Sequence, residues 1–580
     1  MKRGFKMREA IHEFEKFTDL KDMINKTAEK FSDKTAYIFK TKEQGKFKEI
    51  TYKEFKNDID ALGTTLINLG LKNKRIAIIG DNRYEWGVCY LATVTGTGTV
   101  VPLDKALPNN EIESLIIRSE VEAIFYTNKY DEIMNELKNK KNTNLKYFIS
   151  MDNEESTEGI ISYKKLIEKG KELIKNEDRK FLEAEINATE MSIMLFTSGT
   201  TSQSKAVMLS HKNIVCNLMD IAATIYVDEN DRFLSFLPLH HTFECTVGFL
   251  YPISKGASIA FCEGLRHIAE NIKEYDITVM ISVPVLFEGI CKKVLKAIEA
   301  QGKMKTVKFG QTISSALLRV GIDVRKKLFG QILENLGPKL RLFVAGGAAL
   351  DPETERIFNN LGITTYQGYG LTETSPVIAA EDDKYRRIGS IGKTFPSLET
   401  KIIDENEEGI GELVVKGPTV MLGYYNNDEA TKECIDKEGW FHTGDLAKID
   451  KDGFIFITGR KKYVIVLKNG KNIYPEELEI LVNKIAGVTE SFVYGKPDDK
   501  ADFKICAKIV YDKEIMKDAY GLEDEEQIKE KLWQEIKALN KTMPAYKYIK
   551  DIIVTEEELI KTTTRKIKRH EEIKKIEIKN

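Results

Sequence analysis

The chain has 580 residues, which at roughly 100 to 200 per domain is more than one structural unit. Lys plus Arg (88) nearly balance Asp plus Glu (90), a net charge of −2, which recommends neither a nucleic acid nor an anionic membrane as the main partner. Seven scattered cysteines, odd in number and never in a CxxC pair, suggest neither a disulfide framework nor a zinc site and fit a reducing cytoplasm.

The N-terminus, MKRGFKMREAIHEFEKF, carries charge throughout and lacks the apolar stretch of a signal peptide. Thr51 and Glu54 stand in capping-box spacing, and Phe55, Ile59, Leu62, Leu66 and Leu69 share one face before Gly70, which predicts an amphipathic helix. An apolar run over 75–80 follows, then segments at 84–92, 99–102, 111–119 and 123–126 that alternate helix-like and strand-like patterns. Such alternation predicts a parallel α/β sheet. The uncharged stretch 86–103 is as long as a membrane span. Its three glycines, four threonines and proline make it buried βα structure instead. The Lys/Glu-rich stretch 128–190 reads as solvated helices and loops. From 233 to 395 apolar β-like runs (FLSFLPL, ASIAFC, TVMISVPVLF, LRLFVAGGA) alternate again with charged helical segments and extend the same body. The character changes after Gly453, and a hinge is expected near 460–462, dividing the chain into 1–459 and 460–580. The last twenty residues carry eight basic and three acidic side chains.

The chemistry concentrates at Phe196-Thr197-Ser198-Gly199-Thr200-Thr201-Ser202-Gln203-Ser204-Lys205, a run of hydroxyls and one glycine after a strand, closed by a lysine. Small hydroxyls and exposed backbone N–H groups can wrap phosphate oxygens while Lys205 supplies charge. It is not a Walker A loop, because GxxxxGK[ST] is absent. By composition alone it fits a Ser/Thr-rich surface turn equally well.

The order of the residues goes further: Phe-Thr-Ser-Gly-Thr-Thr with a following lysine resembles the signature of the adenylate-forming enzymes, the acyl-CoA synthetases, adenylation domains and luciferases. Other segments resemble that family's motifs in order: Leu237-Pro238-Leu239-His240-His241, Ala345-Gly346-Gly347-Ala348, Gln367-Gly368-Tyr369-Gly370-Leu371-Thr372-Glu373-Thr374, Trp440-Phe441-His442-Thr443-Gly444-Asp445, Gly459-Arg460-Lys461-Lys462 and Lys561-Thr562-Thr563-Thr564-Arg565-Lys566-Ile567. The resemblance implies an α/β fold: a large N-terminal domain of parallel sheets flanked by helices, a β-barrel-like subdomain, and a small mobile α+β C-terminal domain.

It also implies roles. ATP or AMP is held by Thr197, Ser198, Gly199, Thr200, Thr201, Lys205, Gly346, Gly347, Gln367, Gly368, Tyr369, Gly370, Thr372, Asp445, Arg460 and Lys566. Tyr369 would stack on adenine, and Asp445 would accept hydrogen bonds from the ribose hydroxyls. Glu373 with Thr197 offers oxygen ligands to Mg²⁺. Lys566 is the expected catalytic cation, bridging the carboxylate and the α-phosphate, with Glu373, Thr372 and His241 completing the catalytic set. Lys462 would act as hinge, and Gly470 would lie in the tunnel of the co-substrate CoA. No role is expected for His240, and the other basic residues of the tail are expected to be solvated. Three positions depart from the commoner phosphate-loop pattern, Ser202, Ser204 and Ala206 standing for glycine, proline and glycine; Arg565 stands where glycine is frequent.

The segment 237–290 is most similar to long-chain fatty acyl-CoA synthetases, which implies activation of a medium- or long-chain fatty acid to acyl-AMP and transfer to CoA. Val283, Pro284, Phe287 and Phe249 are candidates for an apolar tunnel, and equally for plain core. Glu244 stands near where amino-acid-activating relatives hold an amino group. Aryl or amino acids, an acyl carrier protein acceptor, an oxidative luciferase-like reaction and a catalytically weak nucleotide-binding regulator are the alternatives. The expected location is the cytoplasm, with peripheral association at the inner membrane face through the substrate's partitioning, although no amphipathic anchor stands out.

Overall fold

The computed structural model describes residues 8–41, 46–197, 204–318, 320–468, 471–497, 503–562 and 566–579. Two large, mostly parallel sheets build the N-terminal body. The first runs in spatial order Gly423–Tyr424, Lys205–Ser210, Met191–Thr197, Gly98–Pro102, Lys74–Ile79, Ala123–Tyr126, Tyr147–Ser150 and Ile161–Ser162. The second runs Lys393–Thr394, Val377–Ala380, Thr364–Gly370, Leu342–Ala345, Val279–Ser282, Arg232–Ser235, Ser258–Phe261, Thr35–Lys40 and Phe47–Thr51. Central strands such as Lys74–Ile79 are apolar on both faces, and Ile76, Ile78 and Ile79 are fully buried, because helices cover each side.

One hydrophobic core joins the two sheets: Ile76 and Val100 from the first, Phe233, Val279 and Leu342 from the second, with Tyr52, Phe55, Ile59 and Leu62 of the helix Tyr52–Asn68. That helix begins as the sequence predicts. Thr51 Oγ1 accepts from the Glu54 N–H, and Glu54 Oε2 accepts from the Thr51 N–H at 2.8 Å. The uncharged stretch folds as the helix Tyr84–Ala92, a π-turn Thr93–Thr97 and the strand Gly98–Pro102. Among the described residues no helix is long and apolar enough to cross a membrane. The β-like run 278–287 divides: Val279–Ser282 is a strand, and Pro284, whose fixed φ suits a first helical turn, opens the helix Pro284–Ala300.

The barrel-like subdomain takes the form of a four-stranded antiparallel sheet, Glu399–Ile403, Gly411–Lys416, Phe441–Ile449 and Ile455–Arg460. Beyond it the smaller C-terminal part has a core of its own, including Ile473, Leu478, Ile505, Ile509, Ile528, Leu532 and Ile552. Helices Pro475–Val482 and Glu525–Asn540 flank its three-stranded sheet of Val488–Pro497, Phe503–Tyr511 and Asp551–Thr555.

The tail is not a set of solvated charges. Arg569 is buried, donates to Glu479 at 2.5 Å and lies over the rings of Tyr463 and Phe492. Lys508 and Glu572 form a second buried pair at 2.7 Å, and Lys561 pairs with Glu490 and Glu558. Burial without a partner would be costly for any of these groups, so the carboxylates facing the tail decide its conformation.

Candidate active site

The motif residues meet where strand ends from both large sheets, the four-stranded sheet and the C-terminal part come together. Thr197 closes one strand and Lys205 opens its antiparallel neighbour, and the two stand opposite in register, with Thr197 Oγ1 3.4 Å from the Lys205 carbonyl. Ser198, Gly199, Thr200 and Thr201 lie outside the described residues, so the structure gives the stem of the phosphate loop. Lys205 Nζ sits 4.8 Å from the centre of the Tyr424 ring, and Tyr424 Oη donates to Glu373 Oε1 at 2.9 Å. A cation over a ring whose hydroxyl holds a carboxylate fixes Lys205 and Glu373 in one unit. Tyr424 has no counterpart among the sequence-derived candidates. The aromatic pair Tyr424-Tyr425 after Gly423 was the available signal.

Thr372 and Glu373 occupy the short turn Thr372–Thr374 directly after the strand Thr364–Gly370. Glycine is required at 370, because a Cβ there would fall 1.8 Å from the Pro376 carbonyl oxygen. The Thr372 hydroxyl lies 3.3 Å from that of Thr242, which joins this turn to the His241 segment. Gln367 is turned elsewhere. Its buried amide accepts from the Leu350 N–H at 2.5 Å and donates to the Ser390 carbonyl at 2.9 Å, so this side chain holds loops together and has no free end for a nucleotide. Gly368 and Tyr369 lie beyond it on the same strand, at the open end.

Asp445 is buried, and its two oxygens face two different groups. Tyr369 Oη donates to Oδ2 at 2.5 Å, and Arg460 Nε lies 2.7 Å from Oδ1. The register of Phe441–Ile449 against Ile455–Arg460 sets the second contact, because Asp445 and Arg460 are direct cross-strand partners. Burial raises the Asp445 pKa, opposed by the Arg460 charge. Burial and the adjacent Asp445 carboxylate drive the Tyr369 phenol well above its ordinary value, so it stays a hydrogen-bond donor.

Lys566 reaches this group from the C-terminal part. The residue as a whole is exposed, and its pKa is lowered by desolvation and by Arg460, against the pull of Asp445 and Glu373. Locally it is held by a small bridge: the Thr562 N–H donates to the Lys566 carbonyl at 2.8 Å, the Lys566 N–H to Thr562 Oγ1 at 3.2 Å, and Lys561 pairs with Ile567. Lys462 sits in the turn Lys461–Tyr463, its pKa lowered to about 8 by desolvation and by Arg460. Gly470 lies outside the described residues, in the connection between the short paired strands Ile465–Val466 and Asn472–Ile473.

His241 lies on the turn after Arg232–Ser235, its pKa depressed to about 3 by burial, by His240 and by Lys566, so it is a neutral imidazole. Gly346 follows the strand Leu342–Ala345, and a Cβ there would come within 2.8 Å of the Phe243 ring; at Gly347 it would meet Val283 Cγ1 at 3.7 Å. Phe243 and Val283 therefore border the glycine pair. Phe249 and Phe287 are buried: Phe249 packs edge-on against Trp86 and Tyr90, and Phe287 lies 4.4 Å from Phe343 between ring centres. Glu244 is fully buried, accepts from Ser235 Oγ at 2.6 Å, and has its carboxyl pushed up to about 8 by burial.

The oxygens of Glu373 and Thr197 are hard donors of the kind Mg²⁺ takes, and Glu373 is already oriented by Tyr424, so the residues fit that ion with water and phosphate oxygens as its other ligands.

Comparison with known proteins agrees with this arrangement. The AMP-binding enzyme profile matches residues 24–425, and that of the AMP-binding enzyme C-terminal domain matches 462–578. The chain is 28% identical to long chain acyl-CoA synthetase 6, peroxisomal, of Arabidopsis thaliana over 82% of its own length and 70% of that protein's. It is also 28% identical to the long-chain-fatty-acid–CoA ligase FadD15 of Mycobacterium bovis, over 78% and 76%. The fold is similar to that of the anthranilate CoA ligase AuaEII in complex with anthranoyl-AMP, with a TM-score of 0.75, 20% identity and coverage of 97% and 98%. With phosphate-loop stem, tyrosine-bound carboxylate, Asp445–Arg460 pair and incoming lysine in one cleft, and both profiles matched in order, this chain belongs to the AMP-binding enzyme family.

Proposed function

We propose that the protein is an acid–thiol ligase that converts a medium- or long-chain fatty acid, with ATP, to acyl-AMP and pyrophosphate, and then transfers the acyl group to CoA. The observation that carries the reading is the convergence of Lys566 and Arg460, from residues 460–580, with Asp445 and Glu373, from residues 1–459. Adenylation brings two anions together, and a cation between the carboxylate and the α-phosphate offsets their repulsion as the bond to phosphorus forms and pyrophosphate leaves. Asp445 receives the ribose hydroxyls. Tyr369 at the strand end offers its ring to adenine, with Gly368 and Gly370 allowing close approach. Thr197, Thr372 and Lys205 face the phosphates. Mg²⁺ supplies charge neutralisation at the phosphates, and Glu373 and Thr197 would hold it. Gly346 and Gly347 leave room for the acyl carboxyl beside neutral His241. The division at 459/460 gives Lys462 its role as hinge, with Gly470 beside the CoA path.

The names of the relatives, long-chain acyl-CoA synthetases and ligases, support the fatty acid. Glu244 speaks against an amino acid, because it is enclosed, bonded to Ser235 and uncharged near neutrality. We place the protein in the cytoplasm and at a membrane surface. Helices Pro284–Ala300, Met304–Leu318 and Arg325–Leu336 carry eight basic and three acidic residues in a chain of net −2. On and between them Val285, Phe309, Val320 and Leu328 are 47–70% exposed, a composition suited to an anionic lipid interface.

The test is incubation with ATP, Mg²⁺ and a panel of fatty, aryl and amino acids, with and without CoA, read by mass spectrometry. A fatty acyl-CoA with AMP and pyrophosphate is expected. Acyl-AMP without thioester would indicate another acceptor, and turnover of an aryl acid alone would replace the fatty acid. Lys566→Ala should lose adenylation by at least about a hundredfold while keeping thioester formation from preformed acyl-AMP. Unchanged pyrophosphate release would remove Lys566 from its role.

A further inference from the structure

Beside the adenylation residues lies a cluster of which the reaction above uses only His241. Asp104 follows the strand Gly98–Pro102 of the first sheet, and His240 and His241 follow Arg232–Ser235 of the second. The crevice between strand ends is where α/β folds place ligands. Asn82, in the loop after Lys74–Ile79, ties the two edges together: its Nδ2 donates to the Leu237 carbonyl at 2.7 Å, and its Oδ1 accepts from the Leu239 N–H at 3.3 Å. The histidine turn is closed by the His241 N–H donating to the Pro238 carbonyl, and Asp104 is braced by the Ala106 N–H at 2.9 Å. These backbone contacts hold all three side chains without using the imidazole Nε2 atoms.

One ligand atom from each of Asp104, His240 and His241 lies within 4.8 Å of the other two. His240 Nε2 stands 3.5 Å from Asp104 Oδ2, and the imidazole rings are 4.1 Å apart between centres. The His240 side chain is only 9% exposed, yet Nε2 of both histidines is buried with no hydrogen-bond partner among the described residues. Two orphaned imidazole nitrogens facing a carboxylate are an expensive arrangement unless something binds there. A tetrahedral ion with bonds of about 2.0–2.1 Å places its ligand atoms about 3.4 Å apart. The His240–Asp104 separation has that length.

We propose that Asp104, His240 and His241 form a binding site for a borderline divalent transition-metal ion, Zn²⁺ or Co²⁺, and that its occupation inhibits adenylation. Two nitrogens and one carboxylate oxygen suit such ions and disfavour Mg²⁺, which separates this site from Glu373 and Thr197. The inhibitory part rests on the proposed function. Binding takes the His241 nitrogen from the acyl side of the cleft, where the proposed reaction sets it beside the carboxyl.

The test begins with metal-free full-length protein titrated with Co²⁺ and followed by visible absorption, then displaced by Zn²⁺. One equivalent of Co²⁺ with intense tetrahedral bands is expected. His240→Ala and Asp104→Asn, from different segments, should each bind at least about tenfold more weakly, since even an indirect partner of a metal ligand costs that much. Circular dichroism confirms that the variants are folded. Wild-type affinity and stoichiometry in both variants, or no bands in the parent protein, overturns the site. A second arm measures ATP–pyrophosphate exchange at buffered free Zn²⁺: the parent protein should be inhibited and His240→Ala resistant. Equal inhibition of both overturns the regulatory half. Absence of exchange with any acid in buffer containing Mg²⁺ but free of Zn²⁺ and Co²⁺ would instead defeat the proposed function and leave the titration standing.

Discussion

Arg460 faces Asp445 across two antiparallel strands, and its Nε closes to 2.7 Å from the carboxylate that also receives the Tyr369 hydroxyl. Three motifs more than 90 residues apart end to end are thereby joined at one buried acid. Asp445→Ala removes the acceptor from both neighbours and from the ribose. It should raise the ATP KM roughly ten- to a hundredfold, the loss of about 1.5–3 kcal/mol of charged hydrogen bonding. Isothermal titration with ATP in the absence of acid checks it, and Asp445→Asn should lose less.

Tyr424→Phe keeps the ring under Lys205 and deletes the hydroxyl that orients Glu373. The expected cost is about 1 kcal/mol, a roughly fivefold rise in the Mg²⁺ needed for half-maximal adenylation. Tyr424→Ala should cost more, because it also frees Lys205. Equal effects of the two variants would mean that the hydroxyl is idle.

Glu244 predicts a pH dependence of stability. Its folded pKa of about 8 lies above the ordinary glutamate value of 4.5, so the native state binds the extra proton between those values. Its favourable contribution is complete below about pH 4.5 and is lost as pH rises through about 8. Urea midpoints should therefore fall between pH 6 and 9. Glu244→Gln, which keeps an acceptor for Ser235, should flatten that fall, a difference on the order of a few kcal/mol at pH 9.

Arg569→Ala strands Glu479 in the C-terminal core. Leaving a buried charge unpaired costs about 3–5 kcal/mol. Hydrogen exchange in Val488–Pro497 should quicken strongly, while exchange in the large sheets stays unchanged.

The sequence disclosed those parts of the molecule whose chemistry is written in consecutive residues. Thr197 and Lys205, the turn at Thr372–Thr374, Asp445 and Lys566 each sit in a short segment whose order is itself the signal, and the Thr51–Glu54 cap is local in the same way. What stayed hidden depends on partners distant along the chain. Gln367 stands inside a nucleotide motif, but its amide is taken by Leu350 and Ser390. Arg569 was indistinguishable from its basic neighbours until Glu479 faced it, and Glu373 meets Tyr424 from 51 positions away. The exposed apolar residues at 285, 309, 320 and 328 gave no warning either, because a helix pattern does not say which face is left uncovered.

The staples around Lys566 have a mechanical consequence. The Lys561·Ile567 bridge spans it and the Arg569–Glu479 anchor follows it, so the backbone at this lysine is tied to the sheet behind it. It behaves as a tooth cut into a solid wheel: displacing the smaller part as a body withdraws the charge from Asp445 and Glu373 in a single stroke, with no segment needing to melt.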